Sequence, residues 1–323
     1  MSDSVSRRQF LQTTALAAGA LAIGTACQQV SSPNGAPSAS AAATAQPKPA
    51  PAPAAPPKRT ASDIVTLGNT GLKTSRLGLG LGSNNGATQA AMGAAGFNAF
   101  IKHAFDNGIT LLDTAQNYRT FSMLGAAIKG LPREKICIQC KIEQPNNVLA
   151  TIDNHRKTFN TDYVDSMLVH IQYRANWVDT WKKAMDDFNA AQDKKWILTK
   201  GVSCHSLPAL RASIEDNFTQ LHLVRVNQLG YRIDSEQQVS WGNNGNPIDP
   251  VMTEIKKIAD KNRAIVGMKI FGNGEMKSDE DREKCARFAM DCPHIHSVII
   301  GFANIAELDK GIALINKVLV PAA

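Results

Sequence analysis

Apolar runs alternate with amphipathic stretches along the chain from residue 62 to the C terminus. Eight of the runs are short and continuous: RLGLGL (76–81), ITLLDTA (109–115), KICIQCKI (135–142), YVDSMLVHI (163–171), TKGVSCH (199–205), LVRVNQL (223–229), AIVGMKIF (264–271) and HSVIIG (296–301). Continuous apolar runs, as opposed to alternating ones, are typical of parallel strands that are buried on both faces. The pattern therefore predicts eight parallel strands.

Between the runs, apolar residues recur at a spacing of three and four, which indicates helices with one buried face. The clearest stripes run from Phe97 to Phe105, from Trp177 to Phe188 and from Ile305 to Ile315. Eight strand-then-helix units in about 260 residues predict a single α/β domain with the (β/α)8 TIM barrel fold. A doubly wound sheet is the alternative, although GLGLG at 78–82 lacks the G-x-G-x-x-G spacing of a dinucleotide-binding turn.

The first 61 residues do not continue this pattern. The pair Arg7-Arg8, followed by Gln9-Phe10-Leu11 and an apolar stretch that ends near Ala26, resembles the twin-arginine export signal of bacteria. The stretch is shorter than the roughly 20 apolar residues that a membrane span needs. We therefore predict a signal peptide over residues 1–27 and export through the twin-arginine machinery. The protein would then be periplasmic, or anchored to the membrane and facing the periplasm.

Cys27 directly follows the small-residue site Gly24-Thr25-Ala26, so a lipid on this cysteine is one interpretation. Gly24 stands where bacterial lipoproteins usually carry Leu, and the question of a membrane tether stays open. Residues 28–61 are rich in Pro and Ala and predict an extended linker without a core. The predicted organisation is thus a signal over 1–27, a linker over 28–61 and a barrel over 62–323.

Charge and cysteine content exclude two classes of function. The net charge is +7, but the first 61 residues account for +4 of it, and no basic cluster lies along the remainder. Nucleic acid is therefore not an expected partner. Cys137 and Cys140 form a C-x-x-C motif inside a predicted strand. Residues three apart on a strand point to opposite faces, so we do not expect the two cysteines to share a metal or a disulfide. His294-x-His296 lacks a third ligand, and we predict no metal site.

Four ionisable residues fall at or just after the carboxyl ends of predicted strands, where barrels of this type place their chemistry. They are Asp113, Tyr118, Lys141 and His170. Each alone could be a structural residue. A lysine and an aspartate on adjacent buried strands are expected to pair, because unpaired buried charges are costly. A nearby Lys⁺ favours the phenolate of a tyrosine and should lower the pKa of Tyr118, which predicts a general acid.

Several segments carry a resemblance to a known family. They are LGNTGLKTSRLGLG (67–80), GITLLDTAQNY (108–118), KGLPREKICIQCKI (129–142), YVDSMLVH (163–170), GVSCHS (201–206), VNQLGY (226–231), GMKIFGNG (267–274) and SVIIGFAN (297–304). In these residues the chain resembles the aldo-keto reductases, essentially from Ser62 to Pro321. The resemblance implies an NAD(P)(H)-dependent oxidoreductase that interconverts a carbonyl and an alcohol of a small molecule.

The resemblance also implies roles for the four ionisable residues. Tyr118 would donate a proton to the carbonyl oxygen, Lys141 paired with Asp113 would lower the pKa of Tyr118, and His170 would orient the carbonyl. The cofactor implied is NADP(H), bound across the top of the barrel without a Rossmann domain. Its implied contacts are Asp113, Ser203, Gln228, Met268, Lys269, Gly301 and Asn304. Glu307 stands where a basic residue usually meets the 2′-phosphate, which leaves NAD possible.

Departures from the family pattern keep a second hypothesis open. The segment YRTFSMLG after Tyr118 lacks the usual Gly and Ser-Glu pair, and Cys204 replaces an asparagine. The long segment 230–249 contains Trp241, which either covers the site or faces solvent. The alternative function is a tethered binding or accessory module that keeps the barrel with little or no catalysis.

Overall fold

The computed structural model describes residues 59–241 and 244–320. The predicted signal peptide, Cys27 and nearly all of the predicted linker therefore lie outside the described residues. Within the described ranges, no helix is long and apolar enough to cross a membrane.

Eight parallel strands close into a barrel, as the sequence predicts. They are β3 (Leu77–Gly80), β4 (Leu111–Asp113), β5 (Cys137–Ile142), β6 (Val164–Gln172), β7 (Ile197–Cys204), β8 (Leu221–Arg225), β9 (Ala264–Met268) and β10 (Ser297–Ile300). Each pairs with the next in chain order, and β10 returns to pair with β3, with Val298 opposite Leu77. The TIM barrel is confirmed, and the doubly wound alternative is wrong because an open sheet would leave β3 and β10 apart.

Helices follow the strands and cover the barrel. They are α1 (Ala87–Ala90), α2 (Gly93–Asp106), α3 (Phe121–Ala127), α4 (Val148–Thr158), α5 (Trp177–Asp193), α6 (Leu207–Glu215), α7 (Asp249–Asp260), α8 (Asp279–Asp291) and α9 (Ile305–Val318). The aromatic stripe of α5 is core: Trp177, Trp181 and Phe188 are buried against the barrel. The indole of Trp177 also donates a hydrogen bond to the Ala209 carbonyl at 3.1 Å, which ties α5 to α6.

An antiparallel hairpin precedes the barrel and was not predicted. Its strands are β1 (Ile64–Thr66) and β2 (Lys73–Ser75), and its turn buries Leu67 and Leu72 among the apolar side chains inside the barrel. The turn comes close to the start of β9: a Cβ on Gly68, which has φ +49°, would lie 2.6 Å from the Ala264 nitrogen. Glycine is thus needed there, and the hairpin closes the amino-terminal end of the barrel.

The inside of the barrel changes from apolar to polar along the strands. Residues two apart on a strand share a face, so Asp113 and Lys141 point inward with Leu111 and Cys137, which lie deeper among the apolar interior residues. The buried polar side chains of the strands include Gln139, Ser166 and Thr199 at the level of Asp113, and Ser203 and Arg225 nearer the carboxyl ends. The carboxyl end of the barrel therefore carries the chemistry-bearing groups.

The packed part of the chain starts before Ser62. Ala61 is buried and its backbone N–H donates to the Asn316 side chain at 2.7 Å, while Arg59 donates to the Met290 carbonyl at 3.2 Å. At least three residues that the sequence assigned to the linker therefore belong to the barrel domain. All five cysteines of the described residues are buried and free of disulfides.

Candidate active site

A buried ion pair lies at the carboxyl end of the barrel between neighbouring strands. Lys141 Nζ on β5 donates to Asp113 Oδ1, the last residue of β4, at 2.6 Å and to the Thr114 carbonyl at 2.8 Å. Gln139 Nε2 donates to the same Asp113 oxygen at 2.7 Å. These extra hydrogen bonds are what a buried pair needs to offset the desolvation of both charges.

Lys141 is charged despite being buried. Burial has the largest single effect and lowers the pKa of the ammonium, but the raising effects of Asp113, Tyr118 and Cys140 together exceed it, and the net pKa lies above the ordinary lysine value. The barrel therefore holds a permanent positive charge under the candidate site.

Tyr118 lies above this pair in the loop after β4. Its ring centroid is 5.2 Å from Lys141 Nζ, and its hydroxyl is 3.5 Å from His170 Nε2. The ring stands edge-on to the imidazole, with centroids 5.8 Å apart. The ring also packs against Gly82, two residues after the end of β3. A Cβ at that position would lie 2.4 Å from Tyr118 Cζ. Gly82 is therefore required for this position of Tyr118.

The expected lowering of the Tyr118 pKa is wrong for this structure. Burial raises the pKa of the phenol, and the attraction of Lys141 offsets only part of that effect because Asp113 partly cancels the lysine charge. Tyr118 consequently stays protonated around neutral pH and has a proton to donate.

His170 on β6 completes the group of four, and its two ring nitrogens have different neighbours. Nε2 faces the Tyr118 hydroxyl, and Nδ1 lies 3.3 Å from Glu143 Oε1, an ion-pair distance without the alignment of a good hydrogen bond. Burial lowers the pKa of His170, and Glu143 counteracts part of this shift. The imidazole is therefore mostly neutral at pH 7, since an ordinary histidine has a pKa near 6.5.

Glu143 is a site residue that the sequence reasoning missed. It follows β5 directly, two positions after Lys141, and its Oε1 accepts a hydrogen bond from Asn117 Nδ2 at 2.5 Å. The signal that could have found it is this spacing, because residues two apart continue the same face of a strand.

The four predicted residues thus meet at one end of the barrel, and comparisons with known proteins show the family of the chain. Residues 76–284 match the model of the Aldo/keto reductase family. The chain belongs to the aldo/keto reductase family.

Curated relatives cover only part of this aldo/keto reductase. A 9,11-endoperoxide prostaglandin H2 reductase of Trypanosoma cruzi is 31% identical over 124 residues, which cover 36% of this chain and 41% of that protein. A 2,5-diketo-D-gluconic acid reductase B of a Corynebacterium strain is 29% identical over 121 residues, covering 35% and 42%. The chain therefore spans about four-tenths of the length of these curated relatives.

Solved structures match over more of the chain. A Pseudomonas aeruginosa protein that carries the aldo-keto reductase name aligns with a TM-score of 0.66 and 20% identity, over 80% of this chain and 97% of its own. The holo form of an aldo-keto reductase from Bacillus halodurans aligns with a TM-score of 0.63 and 14% identity, over 80% and 91%. At these identities the likeness supports the fold alone.

A second buried ion pair of this aldo/keto reductase was also missed from the sequence. Arg225, at the end of β8, donates from Nε to Asp234 Oδ1 at 2.6 Å and also donates to the His205 carbonyl. Burial raises the pKa of Asp234 to about 6, and Arg225 offsets only part of the rise. The pair fixes the β8–α7 loop, residues 226–248, to the mouth of the barrel.

Trp241 belongs to the same loop, next to the two residues outside the described ranges. Its side chain is 55% exposed, yet its ring lies 5.9 Å from the His205 ring and 5.6 Å from Lys269 Nζ. The two interpretations left open by the sequence are therefore both partly right: Trp241 faces solvent and also covers two residues at the barrel mouth.

The predicted cofactor contacts fall into two groups. Ser203, Met268 and Lys269 lie at or just beyond the ends of β7 and β9. Ser203 is buried and its Oγ has no hydrogen-bond partner among the described residues. Lys269 is half-buried, donates to Asn273 Oδ1 at 2.9 Å, and has a pKa lowered to about 8 by burial and then by Arg225. These three residues therefore lie at the carboxyl end of the barrel, on the same side as Lys141.

The remaining predicted contacts are less favourably placed. Gln228 is exposed on the β8–α7 loop, and Gly301 is exposed just after β10. Asn304 Oδ1 accepts the Glu307 backbone N–H at 3.0 Å, and Glu307 Oε2 accepts the Ala303 N–H at 2.8 Å. Both side chains therefore cap the start of α9, and a cofactor that used them would have to compete with these bonds.

A groove opens beside His170. Its volume is about 410 Å³, and its lining includes Glu143, His170, Tyr173, Arg174, Trp177 and Trp181. Of the group of four, His170 is the member that lines this groove.

Proposed function

We propose that this chain is an NAD(P)(H)-dependent oxidoreductase that interconverts a carbonyl and an alcohol, with Tyr118 as general acid and base. The observation that carries the proposal is the position of the Tyr118 hydroxyl, 3.5 Å from His170 Nε2 and above the charged Lys141. The family membership and the reductase names of the curated relatives support the same class of reaction.

The proton chemistry follows from the environment of Tyr118. In reduction its O–H bond breaks and the proton goes to the carbonyl oxygen of the substrate. The phenolate left behind is stabilised by the Lys141 ammonium, whose charge Asp113 maintains. In oxidation the phenolate takes the proton of the alcohol instead. His170, beside the same hydroxyl, orients the oxygen of the substrate.

A nicotinamide dinucleotide fits the groups at the barrel mouth. The unsatisfied Ser203 Oγ could bond a carboxamide, and the Lys269 ammonium could pair with a phosphate. A bound dinucleotide would give a hydride to the carbonyl carbon in reduction and would take a hydride from the alcohol carbon in oxidation. We propose NADP(H) with NAD(H) as the alternative, because the Glu307 carboxylate stands near the place where a 2′-phosphate would need a cation.

We also propose that the protein is exported, on the strength of Arg7-Arg8 and the apolar stretch behind them. The twin-arginine route carries folded proteins, so the barrel would take up its dinucleotide in the cytoplasm. Whether Cys27 then holds it at the membrane depends on lipidation at that residue.

Replacement of Tyr118 tests the proposal. Reduction of 4-nitrobenzaldehyde is followed through the absorbance of NADPH and, separately, NADH. We expect Tyr118→Phe to lower kcat/KM by about a hundredfold or more, because general acid catalysis contributes on that scale, with little change in the unfolding midpoint. Tyr163→Phe, at the opposite end of the barrel, serves as the control.

Equal activity in the two variants would rule out Tyr118 as the proton donor. If the wild type neither turns over nor binds a nucleotide on titration, the accessory module becomes the better interpretation.

A further inference from the structure

Among the described residues, Glu143 is the carboxylate within ion-pair distance of His170, and both side chains line the groove. Its Oε1 lies 3.3 Å from His170 Nδ1, and the two side chains are 30% and 4% exposed. Asn117 Nδ2 holds the same oxygen at 2.5 Å, so the carboxylate is fixed from the Tyr118 loop as well. The arrangement places a negative charge at one ring nitrogen and the Tyr118 hydroxyl at the other.

This placement decides which nitrogen carries the proton of a neutral imidazole. A carboxylate beside Nδ1 favours a proton on Nδ1, and the tautomer of a histidine is set by such a partner. Nε2 then has a free lone pair toward the Tyr118 hydroxyl. When the ring takes up a second proton, Nε2–H becomes a donor on that side, and the carboxylate stabilises the resulting positive charge.

We propose that Glu143 is a positioning residue for the reaction, whose negative charge favours the Nδ1–H tautomer of His170 and its doubly protonated form. The effect of Glu143 on the reaction rate rests on the proposed function, whereas its effect on the protonation of His170 does not. The doubly protonated ring can donate to a carbonyl oxygen, whereas the neutral ring can only accept there. Glu143 should therefore keep His170 able to donate, and so sustain carbonyl reduction, to a higher pH.

Other charged groups face the same ring and are left unchanged in the test. Lys141 lowers the pKa of His170, Asp113 raises it, and Tyr118 contacts Nε2. His205 also lies near enough for its own pKa to be lowered by His170. Because these groups persist in Glu143→Gln, a change in that variant reports the Glu143 charge.

The first measurement is independent of turnover. In the full chain labelled with ¹⁵N-histidine, the His170 signals are assigned by their loss in His170→Gln and titrated by NMR. We expect a proton on Nδ1 in the neutral wild-type ring. In Glu143→Gln the pKa of His170 should fall, because the positive ring loses its negative neighbour. Glu134→Gln, at the other end of β5, is the matched control and should titrate as the wild type does.

The second measurement is the pH profile of kcat/KM for 4-nitrobenzaldehyde reduction. On the alkaline side, Glu143→Gln should lose about three- to tenfold relative to Glu134→Gln, a modest effect because the carboxylate is partly exposed. Glu143→Asp keeps the charge and should recover part of the loss. An unchanged tautomer and titration in Glu143→Gln would overturn the proposal. A shifted titration in a protein without turnover would instead count against the proposed function alone.

Discussion

At the residue scale, the charge on Lys141 is the feature on which the site depends. The ammonium has two acceptors, Asp113 Oδ1 and the Thr114 carbonyl, and all three groups are buried. Removing one member of such a pair leaves the other charge without compensation, whereas removing both leaves a neutral interior. A variant that lacks one of the two charges should therefore be less stable than the double variant that lacks both.

We expect Lys141→Met to destabilise the protein by about 3–5 kcal/mol, because the Asp113 carboxylate then keeps the Gln139 amide as its one side-chain donor among the described residues. The double variant Lys141→Met/Asp113→Leu should recover much of that loss while staying inactive. Urea unfolding of the wild type, both single variants and the double variant gives the comparison. A double variant no more stable than Lys141→Met would mean that the two charges are not energetically paired.

Residue identities at this site were predictable to different degrees. Asp113, Lys141 and His170 could be found because polar groups inside apolar strands are conspicuous in the sequence. Glu143 had only its spacing from Lys141 as a signal, and that spacing does not show that it lies beside His170. Arg225 had no such signal, because only the folded chain brings Asp234 beside it. The direction of the Tyr118 pKa was also beyond the sequence, since it depends on how far burial outweighs Lys141.

At the element scale, the β8–α7 loop shows what periodicity misses. The apolar run 223–229 predicted a strand that reaches Leu229, but β8 ends at Arg225. Beyond it, the Asn227 side chain donates to the carbonyls of Tyr231 and Lys269, at 2.7 and 3.0 Å, and so holds a turn instead of a strand. The hairpin β1–β2 was missed because its strands have three residues each, which is too few to show an alternation of apolar and polar residues.

The loop should make the stability of the barrel depend on pH through Asp234. Its pKa is about 6 in the folded chain and near the ordinary 3.8 when unfolded. The folded state then binds the proton more tightly, so the contribution of Asp234 to stability is full below about pH 4 and is lost as the pH rises through about 6.

The measurement is the difference in unfolding free energy between the wild type and Asp234→Asn across that range. Asparagine does not titrate, so we expect the wild-type advantage to shrink with rising pH. Leaving Arg225 without its carboxylate also costs stability, but a cost that is the same at every pH does not change how the difference in unfolding free energy varies with pH. A difference that grows with pH would show that Arg225 holds Asp234 ionised and its pKa low.

At the scale of the whole molecule, the barrel and the segment before it impose opposite requirements. The proposed reaction needs a dinucleotide, and we expect groups such as Ser203 Oγ and Lys269 at the barrel mouth to contact it. The predicted export signal sends the protein to a compartment that we expect not to supply that dinucleotide. Both requirements are met if the protein folds around the cofactor first and retains it, which the twin-arginine route allows.

Changing Arg7 and Arg8 together to lysine should stop export while keeping the charge. In a bacterial host that produces the full chain, cell fractionation and immunoblotting should find this variant in the cytoplasm and the wild type in the periplasm or on the membrane. Lys48→Arg/Lys58→Arg alters the same number of basic residues within the linker and should be exported normally. Periplasmic delivery of the twin-lysine variant would exclude the twin-arginine route.

The exported wild type should also carry its nucleotide. Denaturing the periplasmic protein and weighing the released molecule by mass spectrometry should give close to one NADP or NAD per chain, and prolonged dialysis before denaturation should remove little of it. The identity of the nucleotide would decide whether Glu307 favours NAD, since a carboxylate repels a 2′-phosphate and can accept a ribose hydroxyl. Exported protein that releases no nucleotide on denaturation, or that loses its nucleotide on brief dialysis, would contradict retention.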